Sequence, residues 1–372
     1  MIGASPARAV PERGGEAPTG NWVACGNGED SLLTLPVKIR GVETRAVLDS
    51  GATRSAVDAG FAARHRLHGV RDHRVTALTR ETVARMTGPL HIEAGAAHLL
   101  TTSALILDLA PMARAARMSI ELVLGREFFV RNMVEIDPDR AALRFWANGS
   151  DNINHWLPVV QTADGLFCTT ISPKEGLEAA AIIDLGCSTP LYVDPEYAEA
   201  NNLFGRMRRG SSASLGVEGV AISQLGRLES LRVGDVILRD VPFAVPPVWH
   251  FAAPMIVGLP LLMRFRCCLA FGRARMQLVR ANGSNRPFVR DASGLSVLHA
   301  GDHLQVIHVA KDSPAAKAGL HEGDSIVAIN DEQVGPASVQ NHRNLGKRPP
   351  GTRYALSMLA KDDVELVLED YY

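Results

Sequence analysis

The chain has 372 residues, of which 46% are hydrophobic and 21% are charged, and its formal net charge is −1. This length predicts two or three domains with enough chain to form substantial cores. A net charge so close to zero gives no bulk attraction to nucleic acid or to anionic membranes. No apolar run approaches the roughly 18 residues that a membrane-spanning helix needs. Composition therefore favours an ordinary globular protein, with neither a nucleic-acid partner nor a membrane span.

The cysteines and histidines give no sign of a metal site. The five cysteines lack CxxC spacing, so they predict neither a zinc site nor a disulfide framework. The twelve histidines include no HExxH motif, and the chain has no phosphate-binding glycine loop. We expect neither a metal nor a cofactor.

The first 30 residues are rich in Gly, Pro, Ala and Glu and have no periodicity, which predicts a disordered N-terminal tail over residues 1–30. This stretch lacks the basic start and the apolar core of about 7–15 residues that a secretory signal requires. The sequence as written predicts a cytoplasmic protein. A periplasmic or secreted protein is expected instead if an upstream signal is missing.

A short alternating apolar pattern begins after the tail and predicts β structure. Leu33–Ile39 is a predicted strand, and Glu43–Leu48 is a returning strand that ends on Asp49. The residues Ser50 and Gly51 follow, where glycine permits a sharp turn that points amide N–H groups at the carboxylate. Nine residues beyond Asp49, Asp58 is a predicted N-cap of a short helix.

The same order of elements recurs further along the chain. Leu166–Ile171 and Leu177–Ile183 are predicted strands, and the second ends on Asp184. Ten residues beyond Asp184, Asp194 is a predicted N-cap, with Pro195 at the first helical position.

A later landmark, two aliphatic residues followed by glycine, also occurs twice. Val123-Leu124-Gly125 places its glycine 76 residues after Asp49, and Ile256-Val257-Gly258 places its glycine 74 residues after Asp184. Matching landmarks in one order at nearly equal spacing indicate an internal duplication of about 120 residues.

With these motifs the chain resembles the aspartic peptidases built from retropepsin-like lobes. Asp49-Ser50-Gly51-Ala52 matches the family's Asp motif fully, and Asp184-Leu185-Gly186-Cys187 matches it in part. The resemblance implies a mainly β fold with two pseudo-two-fold-related, retropepsin-like β-barrel lobes whose Asp loops meet. It implies catalytic roles for two residues and supporting roles for five: catalytic Asp49 and Asp184; supporting Ser50, Gly51, Gly186, Gly125 and Gly258.

In such a pair, two carboxyl groups share one proton, activate a water and polarise the substrate carbonyl without a metal. The resemblance also implies that the hydroxyl residue after each Asp bonds across to the other loop, which Ser50 can do and Leu185 cannot. Three alternatives therefore stay open: an active asymmetric pair in one chain, which we rank first; a homodimer that pairs two first lobes; and a peptidase-like fold that only binds peptides or serves as a scaffold.

Each lobe should carry a hairpin flap over the cleft, between its short helix and its aliphatic-Gly segment. In the first lobe the candidate is Val75–Leu90, with a tip at Thr79, Arg80 and Glu81. In the second lobe it is Ser211–Gln224, with a tip at Val217 and Glu218.

The C-terminal segment resembles a PDZ domain of the kind associated with bacterial peptidases. The resemblance rests on Ser313-Pro314-Ala315-Ala316, Ala318-Gly319-Leu320 and Gly323-Asp324-Ser325-Ile326. It implies binding of an extended peptide as an added strand, with the peptide's terminal carboxylate received by a loop. The candidate loop comprises Gly294, Leu295, Ser296 and Val297. An internal role, in which this domain docks on the peptidase lobes and regulates access, is the alternative.

These observations divide the chain into the tail, a first lobe at residues 31–150, a second lobe at 151–283 and a PDZ domain at 284–372. The expected partners are a peptide or protein substrate at the lobes and a C-terminal peptide at the PDZ domain. Monomer and homodimer both remain open.

Overall fold

The computed structural model describes residues 22–26, 32–76, 81–94, 99–110, 112–113, 119–147, 155–216, 219–335, 338 and 345–372. Within these ranges the protein is mainly β, with a few short helices. The helices are α1 (Ala59–Arg64), α2 (Arg126–Arg131), α3 (Pro195–Ala200), α4 (Leu259–Leu262) and α5 (Pro314–Lys317). None of the helices in this described part is long and apolar enough to cross a membrane.

The first lobe is built on a nine-stranded sheet. Its strands are β2 (Thr34–Ile39), β3 (Val42–Leu48), β4 (Ala56–Asp58), β5 (Gly69–Thr76), β6 (Glu81–Thr87), β7 (Leu90–Glu93), β8 (Leu99–Thr102), β9 (Leu105–Leu107) and β10 (Leu122–Leu124). The spatial order is β5-β6-β9-β4-β10-β3-β2-β7-β8. Strand β10 lies parallel to β3 and antiparallel to β4, so it fills the space beside the strand that ends on Asp49.

The second lobe repeats this arrangement on an eight-stranded sheet. Its strands are β14 (Val160–Gln161), β15 (Phe167–Lys174), β16 (Leu177–Asp184), β17 (Leu191–Val193), β18 (Gly210–Gly216), β19 (Gly219–Val233), β20 (Val236–Val245) and β21 (Met255–Gly258). Strand β21 lies parallel to β16 and antiparallel to β17, as β10 does in the first lobe. The duplication read from the sequence is thus present in the topology.

A six-stranded sheet joins the two lobes. Its strands are β1 (Val23–Ala24), β11 (Asn132–Asp137), β12 (Ala142–Ala147), β13 (Leu157–Pro158), β22 (Phe265–Ala270) and β23 (Arg275–Arg280). Strand β11 from the first lobe pairs antiparallel with β22 from the second, with Glu135 opposite Cys268. This pairing holds the lobes together within one chain.

One strand of this joining sheet lies inside the predicted disordered tail. Val23 pairs with Leu143 and is 5% exposed. The ring of Trp22 lies against the guanidinium of Arg144, at 4.4 Å from the ring centroid. Because burial and pairing at a sheet edge depend on residues more than a hundred positions away, composition alone did not reveal them. The prediction of a tail over all of residues 1–30 was therefore wrong for residues 22–26.

The C-terminal domain forms a separate sheet with its own core. Its strands are β24 (Leu295–His299), β25 (Leu304–Val309), β26 (Ser325–Ile329), β27 (Glu332–Gln333), β28 (Arg353–Met358) and β29 (Val364–Val367). In the described part of this sheet β24 is an edge strand that pairs with β25. Helix α5 begins after Ser313, whose hydroxyl accepts the N–H of Ala316.

The two lobes share a continuous hydrophobic core. Phe129 and Phe271, from the first and second lobes, have ring centroids 6.0 Å apart, and Phe167 stacks on Phe271. Burial of such aromatic groups stabilises a fold strongly, so the relative position of the lobes is set by packing as well as by strand pairing.

Candidate active site

Asp49 follows the last residue of β3, in the turn beside β10. Its backbone N–H donates to the carbonyl of Leu124 at 3.0 Å, which extends the parallel pairing to the Asp itself. Its carboxylate oxygen Oδ1 accepts the N–H of Ala52 at 2.8 Å. The backbone of Asp49 is therefore held by β10, and its carboxyl group by the turn that follows it.

Asp184 ends β16 in the corresponding place of the second lobe. It is opposite Gly258 in the parallel pairing of β16 with β21. Its Oδ1 accepts the N–H of Gly186 at 2.8 Å. Both lobes thus deliver one half-buried carboxyl group at the end of a buried strand.

The first Asp loop comprises residues 49–52 and the second comprises residues 184–187. The two loops face each other, and the glycine of each lies against the carboxyl group of the other. A Cβ placed on Gly51 would lie 2.5 Å from Cγ of Asp184, and a Cβ on Gly186 would lie 2.5 Å from Cγ of Asp49. No side chain fits at either position. These two glycines therefore allow the carboxyl groups to meet, a reason beyond the turn geometry that the sequence suggested.

Ser50 ties the first loop to the second. Its buried hydroxyl donates to the carbonyl of Ile183 at 2.7 Å and accepts the N–H of Leu185 at 3.0 Å. Leu185 occupies the corresponding position in the second loop and is fully buried in the hydrophobic core. The hydroxyl link between the loops thus comes from one side, as the sequence predicted.

Burial raises the pKa of both carboxyl groups, because removal from water disfavours the ionised form. For Asp184, burial is the largest cause and the negative charge of Asp49 the second, and together they raise the pKa to about 7. For Asp49, burial also raises the pKa, but the N–H groups of Ala52 and Gly51 and a hydrogen bond with Asp184 oppose the rise. Asp49 is therefore the group that ionises more readily, within a pair that titrates together.

Gly125 and Gly258 support the two loops from below. A Cβ on Gly125 would collide with the backbone of Arg54, and one on Gly258 with the carbonyl of Thr189. The residues after these glycines donate to equivalent positions: Arg126 N–H to Ala52 at 2.8 Å, and Leu259 N–H to Cys187 at 2.8 Å. Of the five supporting residues predicted from the sequence, Ser50, Gly51 and Gly186 lie in the two loops, and Gly125 and Gly258 pack against the loops.

Two polar residues of the first loop's support were not singled out from the sequence. The hydroxyl of Ser55 accepts the N–H of Gly125 at 3.0 Å, and its own N–H donates to Glu127 at 2.7 Å. Glu127 also accepts the hydroxyl of Thr102 at 3.1 Å. These residues are far apart in the sequence and form no motif, so only the fold brings them together.

Two hairpins overlap the segments predicted as flaps, Val75–Leu90 and Ser211–Gln224, and the first begins earlier than predicted, at Gly69. Strands β5 and β6 pair from Gly69 opposite Thr87 to Thr76 opposite Glu81. Strands β18 and β19 pair from Gly210 opposite Leu225 to Gly216 opposite Gly219. Of the predicted tip residues, only the backbone of Glu81 is described; Thr79, Arg80, Val217 and Glu218 lie outside the described residues. The flap role of these residues stays a prediction.

The predicted peptide-binding loop of the PDZ domain differs from expectation. Leu295, Ser296 and Val297 belong to strand β24, and only Gly294 lies in the preceding turn. The half-buried carboxylate of Asp291 accepts the N–H of Gly294 at 2.6 Å and the hydroxyl of Ser293 at 2.6 Å. Because this side chain closes the turn, β24 begins directly after Gly294, which the glycine-led motif did not indicate.

Two duplicated lobes, joined by a shared sheet and meeting at two Asp loops, define the acid-protease class of fold. A family model described as aspartyl protease matches residues 35–128, and a family model described as PDZ domain matches residues 305–356. The search of curated proteins returned no match. The chain thus contains an aspartyl protease domain and a C-terminal PDZ domain. The aspartyl protease match ends within α2. The similarity of the second lobe to the first therefore rests on its topology and loop geometry.

Proposed function

We propose that the protein is an aspartic endopeptidase whose catalytic pair is Asp49 and Asp184. The main support for this proposal is the close contact of the two loops, in which the glycine of each lies against the carboxyl group of the other. Two aspartates with only a structural role in their turns would not be expected so close together, since two carboxyl groups at this distance repel each other when both are ionised. The aspartyl protease domain supports a peptidase in general terms.

The unequal surroundings of the two carboxyl groups assign them different roles. Asp49 accepts backbone N–H groups and is the ionised member, which takes a proton from the attacking water. Asp184 holds the shared proton and donates it toward the substrate carbonyl as the tetrahedral intermediate forms. Collapse of the intermediate releases the amine, which takes up a proton, and the pair returns to its singly protonated state.

The joining sheet favours catalysis within one chain over a homodimer of first lobes. Strand β22 already pairs with β11, and Asp184 already lies against Gly51. A second first lobe would have to displace both contacts. We keep the domain limits of residues 31–150, 151–283 and 284–372 as part of the proposal.

The proposal is tested with Asp49→Asn and Asp184→Asn, assayed on a peptide library between acid and neutral pH. Each change removes the shared-proton pair and should lower kcat/KM by at least about a thousandfold, since both carboxyl groups take part in the proton transfers. The exposed Asp235 gives a matched control, Asp235→Asn, which should keep full activity. Full activity of a verified monomer carrying Asp184→Asn would refute the single-chain pair.

A peptide-binding protein without turnover is the second candidate, and Leu185 is the observation that favours it. The missing hydroxyl leaves Leu185 without a side-chain bond to the first loop, whereas Ser50 makes two hydrogen bonds to the second. This candidate expects measurable peptide affinity with no cleavage at any pH from acid to neutral. The same library, read by binding as well as by cleavage, separates the two functions.

A further inference from the structure

The PDZ domain is firmly attached to the second lobe, first through the segment that connects them. Arg264 of the second lobe is 8% exposed and donates to the carbonyls of Gly283 and Pro287, each at 3.3 Å. Its guanidinium also lies 4.3 Å from the ring centroid of Phe288. The connection is therefore held along its length and does not act as a free linker.

A second attachment joins the PDZ sheet to the second-lobe hairpin formed by β18 and β19. Ser211 of β18 has its hydroxyl 2.8 Å from Nε2 of His308, whose Nδ1 lies 2.9 Å from a carboxylate oxygen of Glu322. Two residues further along β18, the N–H of Ala213 donates to the hydroxyl of Ser296 at 3.0 Å. Ser296 and His308 are opposite each other in the pairing of β24 with β25.

This spacing matches a strand lying across a two-strand surface. Opposite residues of paired strands share a face of their sheet, so Ser296 and His308 lie side by side. Ser211 contacts His308 through its side chain, and Ala213 contacts Ser296 through its backbone N–H. His308 is 8% exposed, and both of its ring nitrogens have partners, so the contact is a closed interface.

The start of the hairpin is also packed by the C-terminal residues. A Cβ on Gly210 would lie 2.7 Å from the ring of Tyr372. Arg290 donates to the carbonyl of Tyr372 at 2.5 Å and to Asp370 at 2.8 Å. The neighbouring ring of Tyr371 has its hydroxyl 3.1 Å from Asp291. The PDZ domain therefore contacts the hairpin at its base and along β18.

The β5–β6 and β18–β19 hairpins differ in their contacts with the PDZ domain. The described side chains of the β5–β6 hairpin bond within that hairpin or to the first lobe: Arg71 bonds to Met86, Arg85 to Gly69, and Thr87 accepts the N–H of Ala104. The described residues of β5 and β6 make no hydrogen bond to the PDZ domain. Duplication of the lobes alone would have left the hairpins equivalent, so the difference comes from the added domain.

We propose that the PDZ domain is a brace that holds the second-lobe hairpin, the predicted flap of that lobe, in place through Ser211, His308 and Ser296. Strand β18 of the same chain thus occupies part of the surface formed by β24 and β25. The effect on catalysis rests on the proposed peptidase function, whereas the brace itself does not. Loss of the brace should weaken substrate binding and leave the carboxyl pair intact.

Hydrogen exchange on the full chain tests the brace without relying on activity. In the variant Ser211→Ala, amides of residues 210–216 and 219–225 should exchange about threefold to tenfold faster, the factor expected for one lost hydrogen bond. In Ser211→Ala/Ser296→Ala the increase should be larger. Amides of β5 should be unchanged, and unchanged exchange in β26 verifies that the PDZ domain stays folded. The neighbouring substitution Ser212→Ala is the matched control and should leave the hairpin as in the wild type.

Unchanged hairpin exchange in the double variant would overturn the brace, and so would an equal increase in Ser212→Ala. If the wild type cleaves peptides, the double variant should raise KM by about threefold to tenfold and change kcat by less than about twofold, because the interactions that position a bound substrate are separate from the proton transfers. If the wild type cleaves none, the exchange result still decides the brace, and only the proposed function fails.

Discussion

The hydroxyl of Ser50 accepts the backbone N–H of Leu185 at 3.0 Å and donates to the carbonyl of Ile183 at 2.7 Å. One side chain of the first loop therefore satisfies two buried backbone groups of the second. The side chain of Leu185 makes apolar contacts in the core and no hydrogen bond to the first loop. The duplicated site is asymmetric at this point, and the asymmetry can be measured.

The pair of variants Leu185→Thr and Leu185→Val isolates the missing hydroxyl, because the two new side chains have nearly the same shape. Both should lower the free energy of unfolding, by about 1–3 kcal/mol, since Leu185 is fully buried and loses apolar contacts. If the Thr hydroxyl reaches the first loop as Ser50 reaches the second, the Thr variant should be more stable than the Val variant by about 0.5–1.5 kcal/mol. Urea denaturation measures the difference. A Thr variant less stable than the Val variant would mean that the new hydroxyl finds no partner.

The substitution Gly186→Ala should lower activity strongly while the fold is kept. The added methyl group would lie 2.5 Å from Cγ of Asp49, so one carboxyl group must move. A displacement of about 1 Å at a reacting group can cost about a hundredfold in rate, and we expect a loss of kcat/KM at least that large. Gly88→Ala is the control, since its nearest neighbour would be 3.9 Å away. Equal activity of the two variants would contradict the close contact between Gly186 and the carboxyl group of Asp49.

The pH dependence of stability follows from the raised pKa values. Both carboxyl groups have a higher pKa in the folded protein than in the unfolded chain, where an Asp has a pKa of about 3.9. Between pH of about 4 and the Asp184 value of about 7, the folded state binds more protons, so stability falls as the pH rises. Each pKa unit is worth about 1.4 kcal/mol.

Asp184→Asn removes one of these titrating groups, so its stability should fall less than that of the wild type between pH 4.5 and pH 8, as measured by urea denaturation. Asp235→Asn, at an exposed position, should follow the wild type. If the free energy of unfolding of Asp184→Asn depended on pH as it does in the wild type, the raised pKa of Asp184 would be contradicted. Peptidase activity should also decline as the pH rises through about 7, where the shared proton is lost.

Glu135 should be among the most important charged residues for stability. It lies in β11 of the joining sheet, 5% exposed, and binds Arg144 at 2.6 Å and Arg266 of the second lobe at 2.6 Å. Glu135→Ala leaves the buried Arg144 and the half-buried Arg266 without this partner and should cost about 3–5 kcal/mol, most of it from Arg144. Glu365 forms an exposed pair with Arg353, and Glu365→Ala should cost less than about 1 kcal/mol. A small effect of Glu135→Ala in chemical denaturation would mean that the lobes are joined by packing and backbone pairing alone.

Much of the fold could be read from local patterns. The strands that end on Asp49 and Asp184, and the capped helices after Asp58 and Asp194, follow from short-range alternation and capping residues. Each capping carboxylate accepts an N–H group within three residues, so its capping role is local and can be predicted. The second bond of Asp58, to the N–H of Leu109, depends on the fold. The strand Val23–Ala24 could not be found in this way, because its partner lies in β12.

The sequence by itself determined the duplication, the two aspartates and the absence of a hydroxyl at Leu185, because each is a matter of residue identity and spacing. Only the tertiary structure decided that each motif glycine lies against the opposite carboxyl group and that Ser50 bonds across the loops. It also decided that Ser211 meets His308, a contact between segments 97 residues apart. These contacts depend on how lobes and domains pack, which sums many weak interactions over distant residues and leaves no local pattern in the chain.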